Sequence, residues 1–180
     1  PFIYKYQPMF LQDFEMDEKL LELIQILIKM DNLNILFVGN SGCGKTSLIT
    51  AIIRDYYDNM NYKDNVLYIN TLKDQGISYY RNEVKTFCQT STNILGKKKI
   101  IVLDDLDAIN EQSQQVFRNF IDKYSHNVHF IASCTNTNKV IESIQSRMST
   151  TKIKALHTAN LSKILKRICK IENISVEQEA

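Results

Sequence analysis

The sequence predicts an α/β fold, a parallel five-stranded sheet with helices on both faces, followed by the start of a helical lid. Three observations point there. Short apolar runs recur along the chain, stretches of helical periodicity separate them, and the first run feeds a glycine-rich turn that opens into a helix. Residues 1–14 read as an irregular, aromatic-rich arm. Across 17–29, Leu20, Leu21, Ile24, Leu27 and Ile28 fall at helical spacing and predict an amphipathic helix. Residues 34–38 read as a short buried strand and 45–57 as the helix after the turn. A strand is expected at 66–69, a helix at 77–89, and a continuous apolar strand at 99–103 that ends in Asp104 and Asp105. Helix 111–124 should turn Val116, Phe117, Phe120 and Ile121 inward. Strand 128–133, a short helix around 140–144 and a last strand near 152–155 complete the core. Thr158 is read as the N-cap of a final helix carrying Leu161, Ile164, Leu165 and Ile168 on one stripe. The expected division is a core over 1–155 and the beginning of a lid over 156–180.

A chain of 180 residues allows one domain with the start of a second. Its 44% hydrophobic and 23% charged residues describe an ordinary soluble core, and a net charge of +2 is too small to argue for nucleic acid by itself. No apolar run approaches a membrane span and no signal-peptide pattern opens the sequence, so no membrane partner is expected. Cys43, Cys88, Cys134 and Cys169 are widely spaced, without any C-x-x-C. They predict reduced thiols in an intracellular protein and neither a disulfide frame nor a zinc site.

Residues 39–46 read GNSGCGKT and match the pattern G-x-x-x-x-G-K-[ST] at every fixed position. Such glycines let the backbone turn its N–H groups onto phosphate oxygens, and the following helix N-terminus adds its positive pole. The expectation is a nucleoside triphosphate site built from Gly39, Asn40, Ser41, Gly42, Cys43, Gly44, Lys45, Thr46 and Ser47. Lys45 would reach the β/γ-phosphates and Thr46 would ligate Mg²⁺. Asp104 ends an apolar strand where it would hold Mg²⁺ through water, with Asp105 orienting the attacking water. Thr135, at the end of strand 128–133, is open to two roles, a hydrogen bond to the γ-phosphate or one to that water. Arg147 closes a short helix before the last strand; taken alone it is also compatible with a plain surface charge.

Longer stretches around these residues resemble the small subunits of replication factor C, the sliding-clamp loader of the AAA+ ATPase superfamily. Residues 1–8, PFIYKYQP, are similar to that family's P-W-x-E-K-Y-R-P, and residues 70–77, NTLKDQGI, with Arg81, to its N-A-S-D-E-R-G-I. DDLDA at 104–108 stands where the family has D-E-A-D-A, and QQVFR at 114–118 where it has Q-Q-A-L-R. FIASC at 130–134 and KVIESIQSR at 139–147 track F-I-L-S-C and K-I-I-E-P-I-Q-S-R without a gap.

The resemblance implies a AAA+ P-loop NTPase core using ATP and Mg²⁺, with Tyr6 and Pro8 of the opening box at the nucleotide. It implies assembly with other clamp-loader subunits into a hetero-pentamer that opens a sliding clamp and places it on primer–template DNA. Arg147 would then be an arginine finger acting in trans, and Arg81 and Lys85 would line the DNA channel. The loop at 90–96, with Ile94 and Leu95, would face the clamp unless it folds back onto the core. Location would be nuclear in a eukaryotic cell, and otherwise cytoplasmic or in a viral replication compartment. Departures from the family are Asp105 for its glutamate, Gln7 for an arginine, Met148 for a cysteine, His129 for an arginine and Ser143 for a proline. The sequence ends inside the lid, so an N-terminal fragment with weak hydrolysis of its own is expected. Two alternatives stay open: a nucleotide-binding interaction subunit that hardly hydrolyses, and another AAA+ initiator or helicase loader.

Overall fold

Apolar residues alternate along four of the five strands, and the alternation decides which helices cover which face. In the computed structural model the described residues are 1–71 and 76–175, excepting the side chains of Ile3 and Asn70. The strands are β1 (Ile35–Val38), β2 (Val66–Asn70), β3 (Lys99–Asp104), β4 (Val128–Cys134) and β5 (Ser149–Lys152). They form one parallel sheet in the order β2-β3-β4-β1-β5. Parallel strands need crossover connections, and the intervening helices supply them and cover both faces.

One face presents Leu36, Ile69, Ile101, Leu103, Phe130 and Ala132. It packs against α6 (Glu111–Tyr124), through Val116, Phe117, Phe120 and Ile121 as predicted, and against the helical run 76–89. The other face presents Ile35, Phe37, Ile100, Val102 and Ile131 to α2 (Glu18–Lys29) and α3 (Lys45–Tyr56). In α2, Ile24 and Leu27 are buried, with Leu20, Leu21 and Ile28 packed partly around them. Full burial of a side chain of this size stabilises by about 1.5–3 kcal/mol, so these two layers hold the sheet rigid beneath its C-terminal edge.

Several elements depart from the predicted ones. The last strand is Ser149–Lys152, not 152–155, and its residues are largely exposed at the sheet edge. Residues 77–89 are one helical run with a π turn inside it, α4 (Gly76–Tyr79), the π turn Tyr80–Val84 and α5 (Lys85–Gln89). The arm is not wholly irregular, since α1 (Phe2–Lys5) and a 3₁₀ turn at Leu11–Asp13 lie within it. The short helix expected around 140–144 is α7 (Glu142–Gln145), and a 3₁₀ turn at Thr137–Lys139 precedes it. In α8 (Thr158–Glu172) the N-cap is His157, not Thr158, and no side chain caps the helix. Of the predicted stripe, Leu161 and Leu165 stay exposed and Ile164 and Ile168 are partly covered. In the loop after α5, Ile94 folds back onto the α2–α3 face, whereas Leu95 is fully exposed. Four residues of the clamp-loader-like segment, 72–75, and the last five of the lid segment, 176–180, lie outside the described residues.

The edge of the sheet opposite its C-terminal ends is closed by a polar network centred on Asp31. Asp31 Oδ1 accepts from the Tyr56 hydroxyl at 2.7 Å and meets His129 Nε2 at 3.0 Å, while Lys98 Nζ lies 3.2 Å from Oδ2. The Leu33 N–H donates to His129 Nδ1 at 3.3 Å, which leaves the imidazole proton on Nε2, facing Asp31. Burial pushes the His129 pKa down, and the pull of Asp31 does not restore it. Folded His129 is therefore neutral where the unfolded residue would take up a proton. Stability should fall as pH drops below about 6.5, by up to about 1.4 kcal/mol per pH unit from this group. Denaturant midpoints at about pH 7.5 and about pH 5.5 should show that loss, and His129→Gln should remove this part of the slope.

Candidate active site at the C-terminal edge of the sheet

β1 ends at Val38 in the sheet interior, between β4 and β5, so the turn after it opens at the sheet's C-terminal edge. Two glycines make that turn possible. Gly44, at φ +92°, caps α3 in a backbone conformation that side chains disfavour. Gly39 passes so close to the chain after β5 that a Cβ there would lie 2.6 Å from the Ile153 carbonyl oxygen. Lys45 is buried and its ammonium donates to the carbonyls of Gly39 and Asn40 at 2.8 and 3.1 Å. The cation thus lies across its own loop, beside the α3 N-terminus.

β4 separates β1 from β3, and its last residues join the phosphate loop to the acids. The Gly39 N–H donates to the Cys134 carbonyl at 3.1 Å on one side. On the other, Ser133, fully buried, donates from Oγ to Asp104 Oδ1 at 2.5 Å and accepts from the Asp105 N–H at 3.0 Å. The Thr46 hydroxyl reaches the second Asp104 oxygen at 2.7 Å. Thr46 and Asp104, 58 positions apart in sequence, therefore meet directly. Both offer hard oxygen atoms, and Mg²⁺ is held typically by one or two carboxylates together with substrate phosphates and water.

Asp105 has left-handed backbone angles, φ 56° and ψ 51°, an arrangement aspartate tolerates better than most residues. Its carboxylate has no hydrogen-bond or ion-pair partner among the described residues. Burial raises its pKa and the neighbouring Asp104 charge adds to that, with Lys45 pulling the other way. Thr135, one residue beyond β4, is exposed, and its hydroxyl and N–H both meet Asp107 Oδ2, at 2.6 and 3.1 Å.

Beside the phosphate loop lies a cavity of about 610 Å³. Asn40, Ser41, Gly42, Cys43, Gly44 and Ser47 line one end, and Tyr6, Pro8 and Leu20 line it from the arm and α2. α8 contributes Leu161, Ile164 and Arg167. The Tyr6 hydroxyl donates to Glu172 in α8, and the Gln7 amide to Ser47 Oγ at 3.3 Å, so the arm ties the loop to the last helix. The dimensions suit a nucleotide-sized ligand with its apolar part toward the arm.

Comparison with known proteins places this arrangement. Residues 35–155 match the family model for the ATPase family associated with various cellular activities (AAA). The chain belongs to the AAA family of ATPases. Among curated relatives, the replication factor C small subunit of Methanococcus vannielii is 32% identical over 99% of this chain and 56% of its own length. Replication factor C subunit 4 of Saccharomyces cerevisiae is 31% identical over 97% of this chain and 54% of its own length. A probable replication factor C subunit 5 of Dictyostelium discoideum is 34% identical, over 100% and 52%. The chain thus spans about half the length of the curated relatives it matches. Among solved structures, the Thermotoga maritima RuvB Holliday junction branch migration motor superposes with a TM-score of 0.69 at 14% identity, over 96% of this chain and 56% of that one. A DNA polymerase III gamma subunit-related protein from the same organism gives 0.66 at 16%, over 83% and 50%. These two likenesses show the AAA fold alone.

Among the predicted positions, Gly39, Lys45, Thr46, Asp104, Asp105 and Thr135 do not line the cavity of this AAA core themselves but belong to the bonded edge beside its loop, and Arg147, Arg81 and Lys85 do not line it either. Arg147 follows α7 and is bound within its own chain, Nε to Asp122 Oδ1 at 2.5 Å and Nη1 to the Ser143 carbonyl at 2.7 Å. Arg118 shares Asp122 at 3.3 Å. The segment carrying Arg147 is fixed by the buried Gln114, whose amide donates to the Ile109 and Lys139 carbonyls and accepts from the Ile141 N–H. Arg81 and Lys85 are exposed on the π turn and on α5, and neither lines the cavity.

Sequence reasoning did not single out Ser133, Asp107 or Gln114 as functional positions. A serine inside the apolar run of β4 was the available signal for the first, since a buried hydroxyl has to find partners. Ser133→Ala would strip a hydrogen bond from Asp104 and leave the Asp105 N–H without its acceptor. It should cost about 1–3 kcal/mol, read as a lowered denaturant midpoint with a native-like circular dichroism spectrum.

Proposed function

We propose that this chain is the nucleotide-binding part of a DNA sliding-clamp-loader subunit. It binds ATP, and within an assembly of related subunits the ATP-bound state opens the clamp and grips primer–template DNA, with hydrolysis releasing both. The observation that carries this reading is the similarity to replication factor C subunits along 97–100% of the chain, joined to the Thr46–Asp104 contact beside Lys45.

In this reading the loop amides of residues 39–46 and the α3 N-terminus cradle the phosphates. Lys45 leaves the carbonyls of Gly39 and Asn40 for the β/γ-phosphates. Thr46 and Asp104 hold Mg²⁺, which neutralises phosphate charge when bound. Asp105, without a hydrogen-bond or ion-pair partner among the described residues and with a pKa raised first by burial, orients the attacking water and takes its proton. Tyr6 and Pro8 flank the nucleotide at the far end of the cavity. Arg147 serves the site of a neighbouring subunit. Among the described residues its Nη2 has no hydrogen-bond partner, so guanidinium donors stay available across an interface. Arg81 and Lys85 offer phosphate contacts to DNA. The protein would act in the nucleus of a eukaryotic cell, and otherwise in cytoplasm or a viral replication compartment. A second reading, a subunit that binds nucleotide but hydrolyses it slowly and chiefly donates Arg147, is favoured by Asp105, one methylene shorter than glutamate.

Lys45→Ala should abolish ATP binding by the isolated chain while leaving its thermal unfolding little changed; retained binding would sink the nucleotide assignment. Arg147→Ala should leave the isolated chain's ATP affinity unaltered yet lower hydrolysis in an assembly by roughly 10³-fold. Weakened nucleotide binding by the lone Arg147→Ala chain would mean that the arginine acts in cis.

A further inference from the structure

α8 walls the cavity without being packed into the core. None of its residues is buried. Leu161, Ile164 and Arg167, spaced three apart, line the cavity. Among the described residues, side-chain hydrogen bonds join α8 to the rest of the chain only near its two ends. Near the first, the Asn160 amide donates to the Glu15 carbonyl at 3.4 Å. At the second, Glu172 Oε1 accepts from Lys5 Nζ at 2.5 Å and from the Tyr6 hydroxyl. Positions 160 and 172 are about 18 Å apart along a helix, and the three cavity-lining residues lie between them.

The second tie reaches the phosphate loop through consecutive arm residues. Tyr6 lines the cavity and gives its hydroxyl to Glu172. Phe2 packs edge-on against its ring, 5.9 Å between centroids, and the Lys5 ammonium lies 5.5 Å from the ring centre. Gln7 follows and donates to Ser47 Oγ in the first turn of α3. Hydrogen bonds from Lys5 and Tyr6 hold the Glu172 carboxyl below its ordinary pKa, so it is charged near neutral pH. The Lys5 bond is therefore charge-assisted. Lys5 is exposed, however, and an ion pair in water adds little to global stability. A contact of that strength holds a helix that buries nothing and still lets it go.

We propose that Glu172 is a positioning residue that latches α8 to the arm across the cavity, so that opening of the latch sets how fast a nucleotide enters and leaves. This rests on the nucleotide-binding reading above. The other walls are anchored. The phosphate loop is bonded to β4 through the Gly39 N–H, and α2 buries Ile24 and Leu27. The arm is held to α3 by the Leu11 N–H on Asp55 at 3.0 Å and by Arg54 on the Met9 carbonyl at 3.2 Å. α8 is thus the wall with least to hold it. Glu172 itself does not line the cavity, so its bonds do not depend on a ligand there. A latch of equal strength in the filled and unfilled cavity slows entry and exit by one factor and leaves the affinity unchanged.

Stopped-flow mixing of the chain with a fluorescently labelled ATP and Mg²⁺, followed by a chase with unlabelled ATP, reads both rate constants. Glu172→Ala should raise association and dissociation together, about three- to tenfold, with the dissociation constant within about twofold of the unaltered chain. Glu172→Lys, which sets two cations side by side, should do the same, and adding Lys5→Glu should return most of the slow exchange. Unchanged rates in Glu172→Ala overturn the latch. A dissociation constant raised about tenfold with association unaltered overturns it too, because Glu172 would then shape the bound site and not its opening. A reversed pair that exchanges as fast as Glu172→Lys alone is equally decisive against it. Failure of the unaltered chain to bind labelled ATP defeats the nucleotide-binding reading and the latch with it, whereas binding at rates indifferent to Glu172 defeats the latch alone.

Discussion

The Asp104 carboxylate is the point on which the site depends. One oxygen receives the Thr46 hydroxyl from α3 and the other the Ser133 hydroxyl from β4, while the Asp104 backbone carbonyl accepts from Thr71, just past β2. A single residue at the end of β3 thereby ties together the ends of its two neighbouring strands and the helix that leaves β1. This is possible only because β4 lies between β1 and β3, and the parallel register brings Leu103 beside Ala132 and Val38 beside Cys134.

Rigid apolar layers beneath the edge make such precision affordable. β1, β3 and β4 are buried on both faces, so their ends cannot drift independently. Among the described residues, most polar side chains that enter this core have partners, the buried Ser113 and Tyr124 hydroxyls being exceptions. Ser133 has two acid-side contacts, Gln114 has four backbone ones, and His129 is neutral between Leu33 and Asp31. By contrast, Arg147, Arg81 and Lys85 lie on the outside.

The sheet was legible wherever strands are buried, because a continuous apolar run of four to six residues has few other readings. β5 was misplaced by three residues for the opposite reason. Ser149, Thr150, Thr151 and Lys152 are an exposed edge pairing on one side only, and their sole sequence signal is the β-branched threonine pair. The π turn in 76–89 leaves the apolar spacing close to helical, so periodicity could not reveal it. At the site, the phosphate loop and Asp104 were legible because their backbone context is fixed by a motif. Ser133, Asp107 and Gln114 were not, since what they do depends on bonds spanning 25 to 29 positions, which no local pattern encodes. Arg167 was invisible likewise, because only the folding of α8 over the cavity brings it there.

The central claim is that the Thr46–Asp104 contact marks a nucleotide–metal site. A crystal structure of the chain with a non-hydrolysable ATP analogue and Mg²⁺ tests it most directly. The account predicts the triphosphate on residues 39–46, Lys45 moved from the Gly39 and Asn40 carbonyls onto phosphate oxygens, and the metal beside Thr46 and Asp104. A triphosphate bound elsewhere, or one on the loop with Lys45 still on those carbonyls and no metal at Thr46, would contradict it.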